Sequence, residues 1–349
     1  VAFETHLTEF AGLPVVEYRS PEEWAREAEK DRERAERRGR GFTDPGPYPP
    51  PALAAALADP GSAAWRLSAD EEPSDHYRRF TAQVDQDRVA AVVLGDMRET
   101  FSVQCPDPLK RALLEVAPDL TGLRSLFYCD VTYEQLEVSW LELGDMAPVL
   151  DALPRLTEFA VRGTGGMSLH VPRHDSLRRL TLQGGGLPAG LTREVVSSGY
   201  PALEHLELWL GVENYGGDTT PEDLAPVLSG EAFPRLRSLG LRNAEHTDDW
   251  VPVLAEAPVA SRLHTLDLSL GTLTDKGGQA LVEAAAAFGH LKRLDLHRHY
   301  LSEEMSEQVR AAFAGTGVDV DLSGREVGSD WEDENFDYDS AGYYTAVAE

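Results

Sequence analysis

Cysteine and lysine are the scarce residues of this 349-residue chain. Only Cys105 and Cys129 occur, which excludes a disulfide framework and any cysteine-rich zinc module and fits a reducing compartment. Lysine stands at Lys30, Lys110, Lys276 and Lys292 alone, a skew toward arginine that reads as the codon bias of a GC-rich genome. No apolar run approaches the roughly 20 residues needed to cross a bilayer. The chain opens VAFETHLTEF, with Glu4 and Glu9 where a secretory leader would carry basic and then apolar residues, which points to the cytoplasm. Positive charge is short overall: Lys+Arg is 32 against 60 Asp+Glu, a net charge of −28. A field of that sign repels phosphate backbones and anionic lipid, so neither nucleic acid nor membrane is expected as a partner, and a protein or peptide with a basic patch is. With 42% hydrophobic and 26% charged residues the chain is globular rather than disordered.

What is present is a repeat. The string L-x-x-L-x-L stands at Leu177/Leu180/Leu182, Leu203/Leu206/Leu208, Leu236/Leu239/Leu241, Leu263/Leu266/Leu268 and Leu291/Leu294/Leu296. Degenerate copies precede it at Val89/Val92/Leu94, Leu123/Leu126/Tyr128 and Leu156/Phe159/Val161, and Val320/Leu322 closes the series. The mean step is about 28 residues, near the period of leucine-rich repeats. Strand side chains alternate, so the fourth and sixth positions enter a core while the third, fifth and seventh face the other way. Between hexamers lie helix marks. Thr220-Pro221-Glu222-Asp223, Thr274 and Ser302-Glu303-Glu304 each read as a helix start. Asp145–Leu153 and Thr247–Ala257 read likewise, with Pro148 and Pro252 expected in or near a first turn. One strand and one helix per repeat predict an α/β solenoid, parallel strands on its concave face and helices on its convex face.

The stretch SRLHTLDLSLGTLTDKGGQALVEAAAAFGHLKRLDLHRHYLSEEM resembles ribonuclease-inhibitor-like leucine-rich repeats, closely over 263–305 and loosely over 89–322. It departs at the ninth position, where asparagine is usual and Ala244, Gly271 and His299 stand. The segments HLTEFAGLPVV, VSWLELGDMAPVL and YYTAVAE look like a bacterial leucine-rich-repeat family whose members tend to be encoded near radical-SAM and ATP-grasp proteins. That resemblance implies a scaffold serving a neighbouring biosynthetic or modifying enzyme, or its peptide substrate.

Residues 89–323 are expected to form the array, about nine repeats. Residues 1–88 are expected to cap it, with a charged helix at 21–38 and a Pro-rich linker at 41–51. Strands are expected at Leu13–Val16, Trp65–Leu67 and Phe80–Val84. Residues 324–349 form an acidic tail with Trp331, Phe336, Tyr338, Tyr343 and Tyr344, either anchored over the last repeat or docking on a basic partner.

The open face of the strands is the expected binding surface. Its candidate residues are Arg162, His205, Glu207, Trp209, Arg242, Asp267, Arg293, Asp295, His297 and Asp321, together with Trp140 from the 131–144 loop. Trp209 with Arg162 and Arg242 in its row has the composition of an interface hot spot, or else packs on a neighbouring loop. Trp140 either packs that loop or offers an exposed aromatic. The loop 211–219 with Tyr215 is a ligand contact or a turn. Asp267, Asp295 and Asp321 fall side by side and repel, relieved by Arg293 or by a partner's cation.

Catalytic constellations are weak. Cys129 and His205 are three repeats apart, on the order of 14 Å. His297 and His299 with Asp295 have metal-like composition but no fourth ligand at a recognisable spacing. Gly184-Gly185-Gly186 lacks the Lys-Ser/Thr of a phosphate loop and reads as a tight turn forced by a short repeat. The expectation is a non-enzymatic protein- or peptide-binding scaffold without a cofactor or metal. The alternatives are an enzyme using His6, Asp75 or His76 near the N-terminal region, and a homo-oligomeric structural scaffold.

Overall fold

Equivalent leucines of successive repeats lie directly opposite one another, and the rest of the architecture follows from that alignment. The computed structural model describes residues 3–39, 41, 46–68, 72–95, 107–328 and 342–348. Most of the acidic tail, part of the Pro-rich linker and Cys105 lie outside the described residues. The chain forms two compact units, residues 6–131 and residues 132–349 with 1–5.

In the 6–131 unit, β1 (Glu9–Phe10) and β2 (Leu13–Glu17) make an antiparallel hairpin. β2, β3 (Ala64–Leu67), β4 (Ala91–Gly95) and β5 (Ser125–Asp130) then pair in parallel, each with the next. The segment expected as a cap thus contributes two strands of its own to the parallel stack. Helix α1 (Pro21–Arg37) opens on a capping box between Ser20 and Glu23 and buries none of its residues, as its all-round charge predicts. After α2 (Pro51–Ala58), the stretch Phe80–Val84 is not a strand but the end of α3 (Pro73–Gln83). Tyr77 and Phe80 are buried three residues apart, a helical spacing that wins over the local alternation. Helix α4 (Asp107–Val116) precedes β5. Every residue of β3, β4 and β5 is buried, because residues 6–10 lie across the face expected to be open. Phe10 meets Phe127 edge-on at 5.7 Å. Arg66 donates to the Leu7 carbonyl at 2.7 Å and pairs with Asp130, which also accepts from the Leu7 amide at 3.2 Å.

In the 132–349 unit, α5 (Ala147–Ala152) leads into β6 (Glu158–Arg162) and β7 (Arg179–Gln183), followed by α6 (Ala189–Ser197), β8 (His205–Gly211), α7 (Ala225–Leu228) and β9 (Ser238–Ala244). Then come α8 (Thr247–Glu256), β10 (Thr265–Asp267), α9 (Asp275–Glu283), α10 (Ala285–Phe288), β11 (Arg293–Asp295), α11 (Glu303–Phe313) and β12 (Asp319–Asp321). β6 to β12 run parallel, each paired with the next, and Phe159, Leu180, Leu206, Leu239, Leu266, Leu294 and Val320 form one aligned row. All but Val320 are fully buried, each leucine contributing about 1.5–3 kcal/mol. This is an α/β leucine-rich-repeat solenoid, read from register and burial together. Only 21 residues separate the markers Val161 and Leu182, too few for a strand and a helix. Met167, Leu169 and Val171 fill the gap from a stretch without helix.

Thr274 and Ser302 cap α9 and α11 as expected. Thr220 does not cap a helix: its amide and hydroxyl both donate to Asp223 at 2.9 Å, and α7 starts only at Ala225. Pro252 sits inside α8, past its first turn. The missing asparagines are replaced by other side chains that bond the turns together. Thr164 donates to Gly186 O at 2.6 Å and Thr272 to Glu245 O. His299 is 1% exposed, its Nε2 3.2 Å from Leu322 O and its Nδ1 accepting from the Leu301 amide at 3.1 Å. It is a buried turn-holder, not a solvated rim residue.

Residues 342–348 run back along these turns. Tyr343 packs on Tyr300 at 4.9 Å, and Tyr344 exchanges hydrogen bonds with the Tyr300 hydroxyl at 2.8 and 3.0 Å. Ala346 N donates to Leu270 O at 2.8 Å, and the Asn243 amide grips both backbone groups of Val347 at 2.6 and 2.9 Å. Gly184, Gly185 and Gly186 are no tight turn. A Cβ on each would collide with Thr164, Ala348 and Tyr215 respectively, so glycine is required for close approach rather than for a left-handed φ.

Truncating Leu266 to Ala is expected to cost about 2–5 kcal/mol in chemical denaturation. Burial holds the His299 imidazole below its ordinary value of 6.5, so its contribution is complete above that value and declines as pH falls below it. His299→Asn should flatten the stability profile between pH 7 and 5 while keeping the turn bonded.

Candidate binding face

The alternation that buries the leucines sends three rows of side chains to the other side of β6–β12. These rows are bonded across the strands. Glu158 accepts from Arg179 at 3.2 Å and Gln183 accepts from Arg162 at 3.2 Å. At the centre, Gly240 faces Glu207 and Asp267 across the ladder, and its bare Cα leaves room for the Arg242 side chain to cross between them. Arg242 Nη1 donates to Glu207 Oε1 at 2.9 Å, and its Nε lies 3.3 Å from Asp267 Oδ2 and donates to Ser269 Oγ at 2.9 Å. Trp209 Nε1 donates to the same Glu207 oxygen at 2.8 Å, with the Arg242 guanidinium 5.2 Å from the Trp209 ring.

These partners set the ionisation of the centre. Burial alone would raise the Glu207 carboxyl, but His205, Arg242 and Trp209 outweigh it and hold it at about 2. Burial likewise dominates at Asp267, and there it prevails over Arg242, leaving that carboxyl above its usual range. Arg242 stays firmly charged: burial opposes this, and Glu207 and Asp267 more than offset it.

The repulsion expected among Asp267, Asp295 and Asp321 is relieved within the molecule. Arg293 donates to Asp295 at 2.8 Å, to Asp319 at 2.8 Å and to Asp321 at 2.7 Å. His297 Nδ1 lies 2.7 Å from Asp295. Burial would raise Asp295, yet His297 and Arg293 bring its carboxyl well below the usual range. Asp319 is the carboxylate left 69% exposed at this end.

Trp209, a candidate either for a hot spot or for packing on a neighbouring segment, is only 3% exposed. The signal that sequence reasoning missed is Phe3. Its ring stacks on Trp209 at 5.2 Å with a 13° interplanar angle, and the Arg162 guanidinium lies over the ring at 3.9 Å. Phe3 O accepts from the Tyr133 amide at 2.9 Å. The 131–144 loop packs through Val138, Leu141 and Leu143 and leaves Trp140 51% exposed. In the 211–219 loop, Tyr215 closes a 3-10 turn and Gly216 follows in the left-handed region.

His205 Nδ1 lies 2.8 Å from Ser238 Oγ, with its Nε2 3.5 Å from Glu207, the composition of a nucleophile, base and acid. Ser238 N, however, donates to Glu204 O at 3.0 Å, as part of the ladder, so it is not aimed at a developing oxyanion. Cys129 is buried in β5 of the other compact unit, and His205 is bonded within its own. His6, Asp75 and His76 are engaged with three different partners, Asp130, Arg78 and Glu23. Among the described residues, no group of three His, Cys, Asp or Glu is placed to hold a metal ion, and no helix is long and apolar enough to cross a membrane.

No protein-family model and no curated protein matches the chain. Among solved structures, the chain is similar to a protein from Bacteroides fragilis, 25% identical over 89% of this chain and 86% of that one, with a TM-score of 0.69. A looser likeness is to an internalin of Listeria monocytogenes, 15% identical over 69% of this chain and 68% of that one, TM-score 0.33.

Arg242→Met leaves Glu207 and Asp267 without their shared cation and is expected to cost about 3 kcal/mol, the low end for breaking a buried pair. Because the Glu207 carboxyl is depressed, its contribution is present above its ordinary value of 4.5 and is lost as pH falls toward about 2. In Arg242→Met the folded carboxyl is less depressed, so that loss should be smaller and complete at higher pH, read from denaturation midpoints across pH 2–6.

Proposed function

We propose that this chain is a non-enzymatic scaffold that binds a protein or peptide on the face of β6–β12. The observation that carries the reading is the cross-bonding of the outward rows. Side chains from neighbouring strands are already tied to one another, so little rotamer freedom remains to be lost when a partner docks. Stacked repeats offer such extended surfaces as their general mode of recognition.

The partner's basic patch docks at the β11–β12 end. Arg293 is shared among three carboxylates there, and exposed Asp319 offers a cation the strongest remaining attraction. The resemblance of HLTEFAGLPVV, VSWLELGDMAPVL and YYTAVAE to a family encoded beside radical-SAM and ATP-grasp proteins supports a peptide substrate or its modifying enzyme as that partner.

Immobilised protein should retain a library of Lys/Arg-rich peptides and not an acidic library of equal length. Asp319→Lys with Asp321→Lys should abolish the retention, and salt should weaken it as exposed charges are screened. Equal retention of both libraries would remove the acidic end from the account.

A further inference from the structure

Phe3 occupies the centre of this face in the way a bound side chain would. It lies against the Trp209 ring at 5.2 Å and the Arg162 guanidinium at 3.9 Å, the stacking and cation–π geometries by which proteins hold aromatic groups. Its carbonyl accepts from the Tyr133 amide at 2.9 Å. The residue is half-buried, Glu4 and Thr5 after it are exposed, and its backbone sits at φ +75°, a left-handed conformation unfavourable for a bulky side chain.

The walls, in contrast, are fixed without Phe3. Trp209 is oriented by its bond to Glu207 and covered by Arg242 on the adjacent strand. Arg162 lies at the end of β6, hydrogen-bonded to Gln183 of β7. Removal of the ring therefore leaves an aromatic-binding slot whose two walls keep their positions.

We infer that the slot between Arg162 and Trp209 is a recognition site for an aromatic side chain of a partner peptide, and that Phe3 is its internal stand-in, displaced when the partner inserts its own Phe, Tyr or Trp. The inference rests on the face being a binding surface and adds to it a side-chain preference and a built-in competitor. A partner aromatic gains the two wall contacts, and release of Phe3 relaxes its left-handed backbone. Phe3 sets the threshold: only a segment that adds contacts along the flanking rows displaces it.

The test uses the full chain and two labelled peptides, VAFETHLT, which repeats residues 1–8, and VAAETHLT. The Phe3→Ala protein should bind VAFETHLT at least about tenfold more tightly than VAAETHLT, and at least about tenfold more tightly than the unmodified protein does, the scale of an interface anchor. Adding Arg162→Gln should erase most of that preference. Phe3→Leu, which keeps an apolar side chain over Trp209, guards against a loosened fold and should show a smaller preference in the same direction. Equal affinity of Phe3→Ala for the two peptides, or no binding of either by both variants, overturns the inference. Retention of the Lys/Arg-rich library by Phe3→Ala separates the two claims: if it persists while the Phe preference is absent, the slot falls and the binding face stands.

Discussion

The pairing of Leu206, Leu239, Leu266 and Leu294 at one level of the ladder is the constraint on which everything else depends. Strand side chains alternate, so a slip of one residue would turn the whole outward set inward. Burial of the leucine row makes that slip prohibitive, and the outward residues inherit its precision. Arg242 reaches Glu207 and Asp267 from its own strand because all three are held at adjacent levels. The same holds for Arg293, whose single guanidinium meets carboxylates of β11 and β12. The polar face is thus a by-product of apolar stacking, and its charges are arranged by the core beneath them.

Residues 6–10 and 342–348 are spent on the strands and turns they cover. Residues 6–10 cover the outward side of β3–β5, where Val93 and Phe127 stand in one row with Arg66. Left open, that side would expose Val93 and Phe127 as an apolar patch. Residues 342–348 run along the turns of several repeats, and Asn243 reads the backbone of Val347 as one strand reads another. Such contacts tie together repeats that otherwise touch only their neighbours, and they raise the cooperativity of a quasi-linear fold.

The repeat was legible because leucine spacing and strand alternation are local signals that recur. So were the caps at Ser20, Thr274 and Ser302, where one side chain determines the start of a helix. What escaped was non-local. Phe80–Val84 alternates like a strand, yet Tyr77 and Phe80 belong to one buried helical stripe. The three glycines at 184–186 looked like a turn because the residues that demand them, Thr164, Ala348 and Tyr215, are not adjacent to them in sequence. The candidate face was legible as rows of residues, but not its internal pairing. Burial of Trp209 depends on Phe3, more than two hundred residues away, and no periodicity announces such a contact. His299 was visible as a departure from asparagine; its substitute role became evident only from the two backbone groups that it bonds.

Methyl–methyl nuclear Overhauser contacts among selectively labelled leucines test the stacking claim most directly. The account requires an unbroken chain of contacts from Leu180 through Leu206, Leu239 and Leu266 to Leu294. Absence of contacts between consecutive members, or contacts that pair Leu206 with a residue of the outward rows, would contradict it.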